Sequence, residues 1–137
     1  MIRALLFDLD DTLYREADFV ASGFRAVAER MAAICRVPSE EIHRQMMDTL
    51  AGGGRRKVMP DVLERYPGSG FGLTDLVGIY RGHTPAIRLF TGYGQLLARL
   101  RESYRLGIVT DGTPEVQKSK CAALGLKRAV PFCMTHS

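Results

Sequence analysis

The sequence predicts an α/β chain: a small parallel sheet, interrupted in its connectivity by an inserted helical segment. Three observations predict it. Residues 2–7 are apolar except for Arg3 and end in a cluster of acids, and residues 106–109 repeat that run of apolar residues before Thr110, Asp111 and Gly112. Between the two runs, apolar residues recur at spacings of three and four, the signature of helices with one buried face. Uninterrupted apolar runs fit strands buried in a parallel sheet, so both runs are expected to be interior strands.

The elements follow in order. After the acidic loop and Tyr14, a helix is expected over residues 17–35, with Phe19, Val20, Phe24, Val27, Met31 and Ile34 on one face. Pro38, Ser39, Glu40 and Glu41 start another, because proline fits a first helical turn and carboxylates suit its positive end. Ile42, Met46, Met47 and Leu50 continue it until Gly52, Gly53 and Gly54 stop it. No lysine–serine pair follows that triplet, so it is not a phosphate loop. Arg55, Arg56 and Lys57 read as a solvated patch, with an anion-facing role as the alternative. A short helix over 61–66, a Pro67–Gly70 turn and a helix over 74–81 come next, and His83 beside Pro85 is read as a surface or second-layer group. A helix over 92–101 leads into the second strand. Thr113 and Pro114 then open a helix with a hydroxyl cap and proline in its first turn. Its apolar members are Val116, Cys121, Ala122 and Leu124, and Gly125 closes it. A third strand is expected over 129–134, although Pro131 would leave it one donor short.

Composition sets the outer bounds. A chain of 137 residues, 46% hydrophobic and 25% charged, is long enough to bury a real core. The short N-terminal apolar run ends in acids, which fits neither a signal peptide nor a membrane span, so the expected location is the cytoplasm. Cys35, Cys121 and Cys133 lack paired metal-site spacing and are read as small core residues. Residues 1–54 carry 6 basic and 9 acidic side chains and residues 55–137 carry 13 and 6. The basic residues are scattered rather than laid in a stripe, so no nucleic-acid partner is expected.

Three carboxylates, Asp8, Asp10 and Asp11, fall within four residues and repel one another unless a cation or proton is shared. A divalent metal is the simplest such cation. Asp8-x-Asp10-x-Thr12 after an apolar strand resembles the first motif of the haloacid dehalogenase-like superfamily, most of whose members are magnesium-dependent phosphatases. Arg105 to Gly112 resembles the second motif. The resemblance implies a Rossmann-like core, residues 1–14 and 92–137, with a helical cap at 15–91. It implies Asp8 as the nucleophile that forms an aspartyl phosphate and Asp10 as the acid and base. Thr110, Asp111 and Gly112 would bind the substrate phosphate, and Asp8 with the backbone carbonyl of Asp10 would hold Mg2+. The substrate it implies is a small phosphorylated metabolite.

In that family a third-motif lysine and fourth-motif acids come later in the chain, and no residues after Met134 carry them, so the sequence resembles a member truncated after about three strands. Lys118 and Lys120 are weighed as stand-ins for the lysine and read instead as lying on a solvated helix face. Two other readings stand beside the phosphatase: a non-catalytic fragment or interaction module whose sheet edge is completed by a partner strand, and a 2-haloacid dehalogenase; the exposed apolar edge also invites self-association. Asp10 speaks against the dehalogenase, because expelling a halide needs no proton.

Overall fold

The computed structural model describes residues 2–127 and the backbone of 132–136. The chain divides into two compact units, one formed by Met1–Phe19 with Thr84–Ser137 and the other by Val20–His83.

In the first unit three strands form one sheet in the order β1-β2-β3, with β1 at Ala4–Phe7, β2 at Arg105–Asp111 and β3 at Phe132–His136. Both pairings are parallel, Phe7 lying opposite Ile108 and Thr110 opposite Thr135. The second strand matches its expected span, with Leu106 and Ile108 buried. The first does not behave as an interior strand: it begins at Ala4, and Ile2 and Leu6 are 70% and 63% exposed. The physical reason is its place, since β1 pairs only with β2 and forms an edge of the described sheet. The expected third strand at 129–134 lies partly outside the described residues, whose strand runs over Phe132–His136, and Pro131 is outside them altogether. The side chain of Cys133 also lies outside them. Helix α5, Tyr93–Ser103, buries Leu97 but leaves Leu96 45% exposed. Helix α6, Pro114–Ala123, follows β2.

The second unit is helical. Most of α1 (Glu16–Cys35) belongs to it, with α2 (Ser39–Gly53), α3 (Arg55–Arg65), a 3-10 turn at Pro67–Ser69 and α4 (Leu73–Gly82). Val20, Phe24, Val27, Ala28 and Met31 pack with Ile42, Met46, Val58, Met59, Val62 and Leu76 into one core. Full burial of such a side chain stabilises by about 1.5–3 kcal/mol, so this set is the unit's main source of cohesion. The methionines are therefore packing residues. Ile34, expected on the buried face of α1, is 53% exposed, because the stripe continues through Ala28 and Met31 toward Cys35.

Two boundaries differ from expectation for one reason. The glycine triplet interrupts the helices for a single residue, Gly54, whose φ of 78° lies in the left-handed region. Helix α3 then starts at Arg55, six residues earlier than expected, because Val58, Met59 and Val62 bury one face and Pro60 lies exposed on another. The basic triplet Arg55, Arg56 and Lys57 is thus the first turn of α3, and all three side chains are exposed. Polar contacts add detail at the surface of this unit. Thr49 Oγ1 and Arg65 Nε donate to Asp61 Oδ2 at 2.6 and 2.9 Å, and Tyr66 donates to Gln45 Oε1 at 2.8 Å. No helix among the described residues is long and apolar enough to cross a membrane.

Candidate functional site

The site residues belong to the α/β unit and follow from the ends of two strands. Because β1 and β2 are parallel and in register at Phe7 and Ile108, Asp8 leaves the sheet at the same end at which Thr110 and Asp111 close β2. Ligands of open parallel sheets bind at that end, where the connecting loops part. Asp8 is exposed and Thr110 is 2% exposed. The loop after β1 is built tightly: Thr12 and Leu13 both donate backbone hydrogen bonds to Leu9 O, at 3.3 and 3.0 Å, and Leu9, Leu13 and Tyr14 are buried. Phe90 N–H donates to Leu13 O at 3.0 Å and closes the far side of the loop.

The crowding of three carboxylates is resolved by giving each its own donor. Thr12 Oγ1 donates to Asp8 Oδ2 at 3.3 Å. Asp11 takes a φ of 54°, which aspartate tolerates, and its Oδ1 accepts the backbone N–H of Glu16 at 2.9 Å in the first turn of α1. Asp10 has the strongest set. Lys120 Nζ reaches its two oxygens at 2.7 and 2.9 Å, and the Tyr14 hydroxyl donates to Oδ1. Burial first, then the neighbouring Asp10 carboxylate, raises the Tyr14 phenol far above its ordinary value, so Tyr14 serves as a neutral donor.

Lys120 corrects the sequence reading. It was expected on a solvated helix face with Lys118; Lys118 is exposed, but Lys120 is 4% exposed. The ammonium stands 4.5 Å from the centre of the Phe19 ring and 6.0 Å from that of Tyr14. The cation that the acidic loop calls for is thus partly supplied by the chain itself. One sequence signal could have found it: Gln117, Lys120, Cys121 and Leu124 fall at helical spacing and are all buried, whereas Ala122, counted among the apolar members, is exposed. Reading only apolar residues hid a stripe of which half is polar.

The turn after β2 has a brace of its own. Gly112 has a φ of 125°, and a Cβ there would lie 2.5 Å from Gln117 Nε2, so only glycine fits. Gln117 Nε2 donates to Asp111 O, and Gln117 N–H donates to Thr113 O at 3.1 Å. Thr113 occupies the cap position of α6 but makes no side-chain cap hydrogen bond, against expectation. His83 belongs to the helical unit and at 9% exposure is not at the surface, the first of the two readings made for it; its Nδ1 pairs with Tyr80 O at 2.6 Å.

A hard cation such as magnesium needs only one or two carboxylates, its remaining positions going to waters and substrate oxygens. The donor chemistry fits in that sense only through Asp8, whose carboxylate is exposed: the Asp10 carboxylate is engaged by Lys120, and no group of three histidine, cysteine or acidic side chains that could hold a metal stands among the described residues.

A parallel sheet with acids beyond one strand and a buried hydroxyl at the end of the next defines an α/β protein whose chemistry belongs to strand-end loops. The chain belongs to the haloacid dehalogenase-like hydrolases, whose family model matches residues 5–137. It is 29% identical over 133 residues to a glyceraldehyde 3-phosphate phosphatase of Methanocaldococcus jannaschii, a match covering 92% of this chain and 58% of the relative. Among solved structures it resembles a Bacillus subtilis protein assigned as a HAD-hydrolase and bound to magnesium, with a TM-score of 0.59 at 23% identity, covering 98% of this chain and 63% of the other. A 2-haloacid dehalogenase from Pseudomonas syringae gives 0.58 at 21% identity, covering 98% and 64%. These likenesses establish the fold. The chain spans about three-fifths of the length of each of these relatives.

Proposed function

We propose that the chain carries the phosphoryl-transfer half-site of a magnesium-dependent phosphatase acting on a small phosphorylated metabolite, a phosphorylated sugar being the nearest class by its relative. One observation carries this reading: Asp8 follows β1 at the same end of the sheet at which Thr110 lies near the close of the parallel strand β2, and the second acid, Asp10, is held by donors of its own. A carboxylate oxygen of Asp8 attacks phosphorus and the ester P–O bond breaks. In its protonated form Asp10 gives a proton to the departing alkoxide, and the carboxylate so formed takes one from the water that attacks the aspartyl phosphate. Breaking the P–O bond to Asp8 returns the carboxylate and inorganic phosphate. Thr110 Oγ1 and the N–H groups of Asp111 and Gly112, at the start of α6, hydrogen-bond the transferring phosphoryl oxygens. Asp8 and the Asp10 carbonyl would hold Mg2+, which when bound offsets the repulsion between two anions. A proton donor at Asp10 disfavours dehalogenation, which releases halide.

The test is hydrolysis of an aryl phosphate by the purified chain with magnesium. Turnover is expected well below that of a full-length relative and to fall to background in Asp8→Asn; turnover that survives this change overturns the reading. A second reading, self-association of two copies through β1, is favoured by the exposure of Leu6 on an edge strand and of Ile2 just before it. Light scattering is expected to report a dimer that Leu6→Lys dissociates, and a monodisperse monomer rejects it.

A further inference from the structure

Helix α6 carries two buried polar side chains, Gln117 and Lys120, and each is directed at a different strand-end loop. Gln117 Nε2 donates to Asp111 O in the loop after β2, and Lys120 Nζ donates to both oxygens of Asp10 in the loop after β1. Three residues apart on a helix, they are separated by about 4.5 Å of axial rise and lie on one face. Both are costly residues for a core. A buried ammonium is tolerated only when paired, and exchanging such a pair as a whole for apolar residues of similar volume is often neutral or stabilising. Gln117 Oε1 is buried without a hydrogen-bond partner among the described residues, which leucine or methionine would avoid. Neither residue is what stability alone would select, and both costs fall where the helix meets the site.

We propose that Gln117 and Lys120 are positioning residues, and that α6 acts as a rigid spacer holding the proton-transfer carboxylate of Asp10 in register with the Thr110–Gly112 phosphate cradle. The proposal rests on the phosphatase reading for its consequence in catalysis, and on the geometry alone for the constraint. Lys120 can act in this way because the Phe19 and Tyr14 rings flank its ammonium and limit its alternatives. Gln117 can because Gly112 brings the turn backbone against its amide. Proton transfer and phosphate binding must be aligned at one phosphorus atom, and α6 ties the two loops together beyond Phe7 and Ile108, where the β1–β2 ladder stops.

The experiment combines amide hydrogen exchange of the full chain with turnover of an aryl phosphate in Gln117→Met, Lys120→Met and Lys120→Ala. Lys120→Met is expected to speed exchange at residues 9–14 and Gln117→Met at 111–113, each on the order of tenfold or more, with the helical unit unchanged. Misplacement by an ångström costs catalysis on the order of 100-fold, and that loss is expected in kcat with KM little altered. Propylammonium is expected to restore part of the turnover of Lys120→Ala and none of that of Gln117→Met. Unchanged exchange at both loops, or a uniform rise across the chain, overturns the proposal. Failure of the phosphatase reading shows elsewhere, as wild-type turnover that is absent or indifferent to Asp8→Asn, and leaves the exchange result readable.

Discussion

The helical unit and the α/β unit differ in what they bury. The helical unit closes eleven apolar side chains into one core and keeps most of its polar contacts near the surface. The α/β unit buries a hydroxyl, an amide and an ammonium at Thr110, Gln117 and Lys120, while leaving Ile2 and Leu6 largely in water. The helical unit encloses polar groups too, at Ser69 and His83, so the difference is one of charge: among the described residues only the α/β unit buries an ammonium and pairs it with a carboxylate.

The largest expected effect tests the first half of that contrast. Phe24 is 1% exposed in the helical core, and Phe24→Ala is expected to cost about 3–5 kcal/mol in urea denaturation. A loss below about 1 kcal/mol would mean that the core repacks freely and that the contrast is overstated. The next effect sharpens the second half. Lys120→Met leaves the Asp10 carboxylate without its cation, and because that side chain is 25% exposed the expected loss is about 1–3 kcal/mol rather than the full cost of a broken buried pair. Asp10→Asn with Lys120→Met is expected to cost less than the two single changes added together, measured as a double-mutant cycle. Additive losses would dissolve the pair.

The smallest effect returns to the helical unit's surface. Hydrogen bonds from Arg65, then from Thr49, hold the Asp61 carboxyl below its ordinary value of 3.8. A lowered folded-state value gives stability that is present above the unfolded value and lost as pH falls through the folded one. Arg65→Ala is therefore expected to be slightly less stable than wild type above pH 4, with the gap closing in stronger acid. A gap that persists there would place its origin in the packing of the Arg65 stem.

Sequence legibility follows the same division. Helices α1, α2 and α4 were readable because their buried faces are apolar, and periodicity reports that property directly. The start of α3 was not, since an exposed proline and a glycine triplet obscured the stripe of Val58, Met59 and Val62. At the site, the acids and the end of β2 stood out by type and position. Lys120 did not, for a lysine on a helix is ordinarily solvated and only its partner 110 residues away, Asp10, makes it a buried one. For β1 two expectations stood side by side, an interior strand from its apolar run and an exposed sheet edge, and β1 lies at the edge of the described sheet.

The burial of one ammonium has a practical side. Lys57, Lys118 and Lys127 are open to water, and Lys120 is enclosed. An amine-directed reagent thus meets three of the chain's four lysines and spares the one beside Asp10, so dyes, biotin or a solid support can be attached through lysine without blocking the strand-end loops.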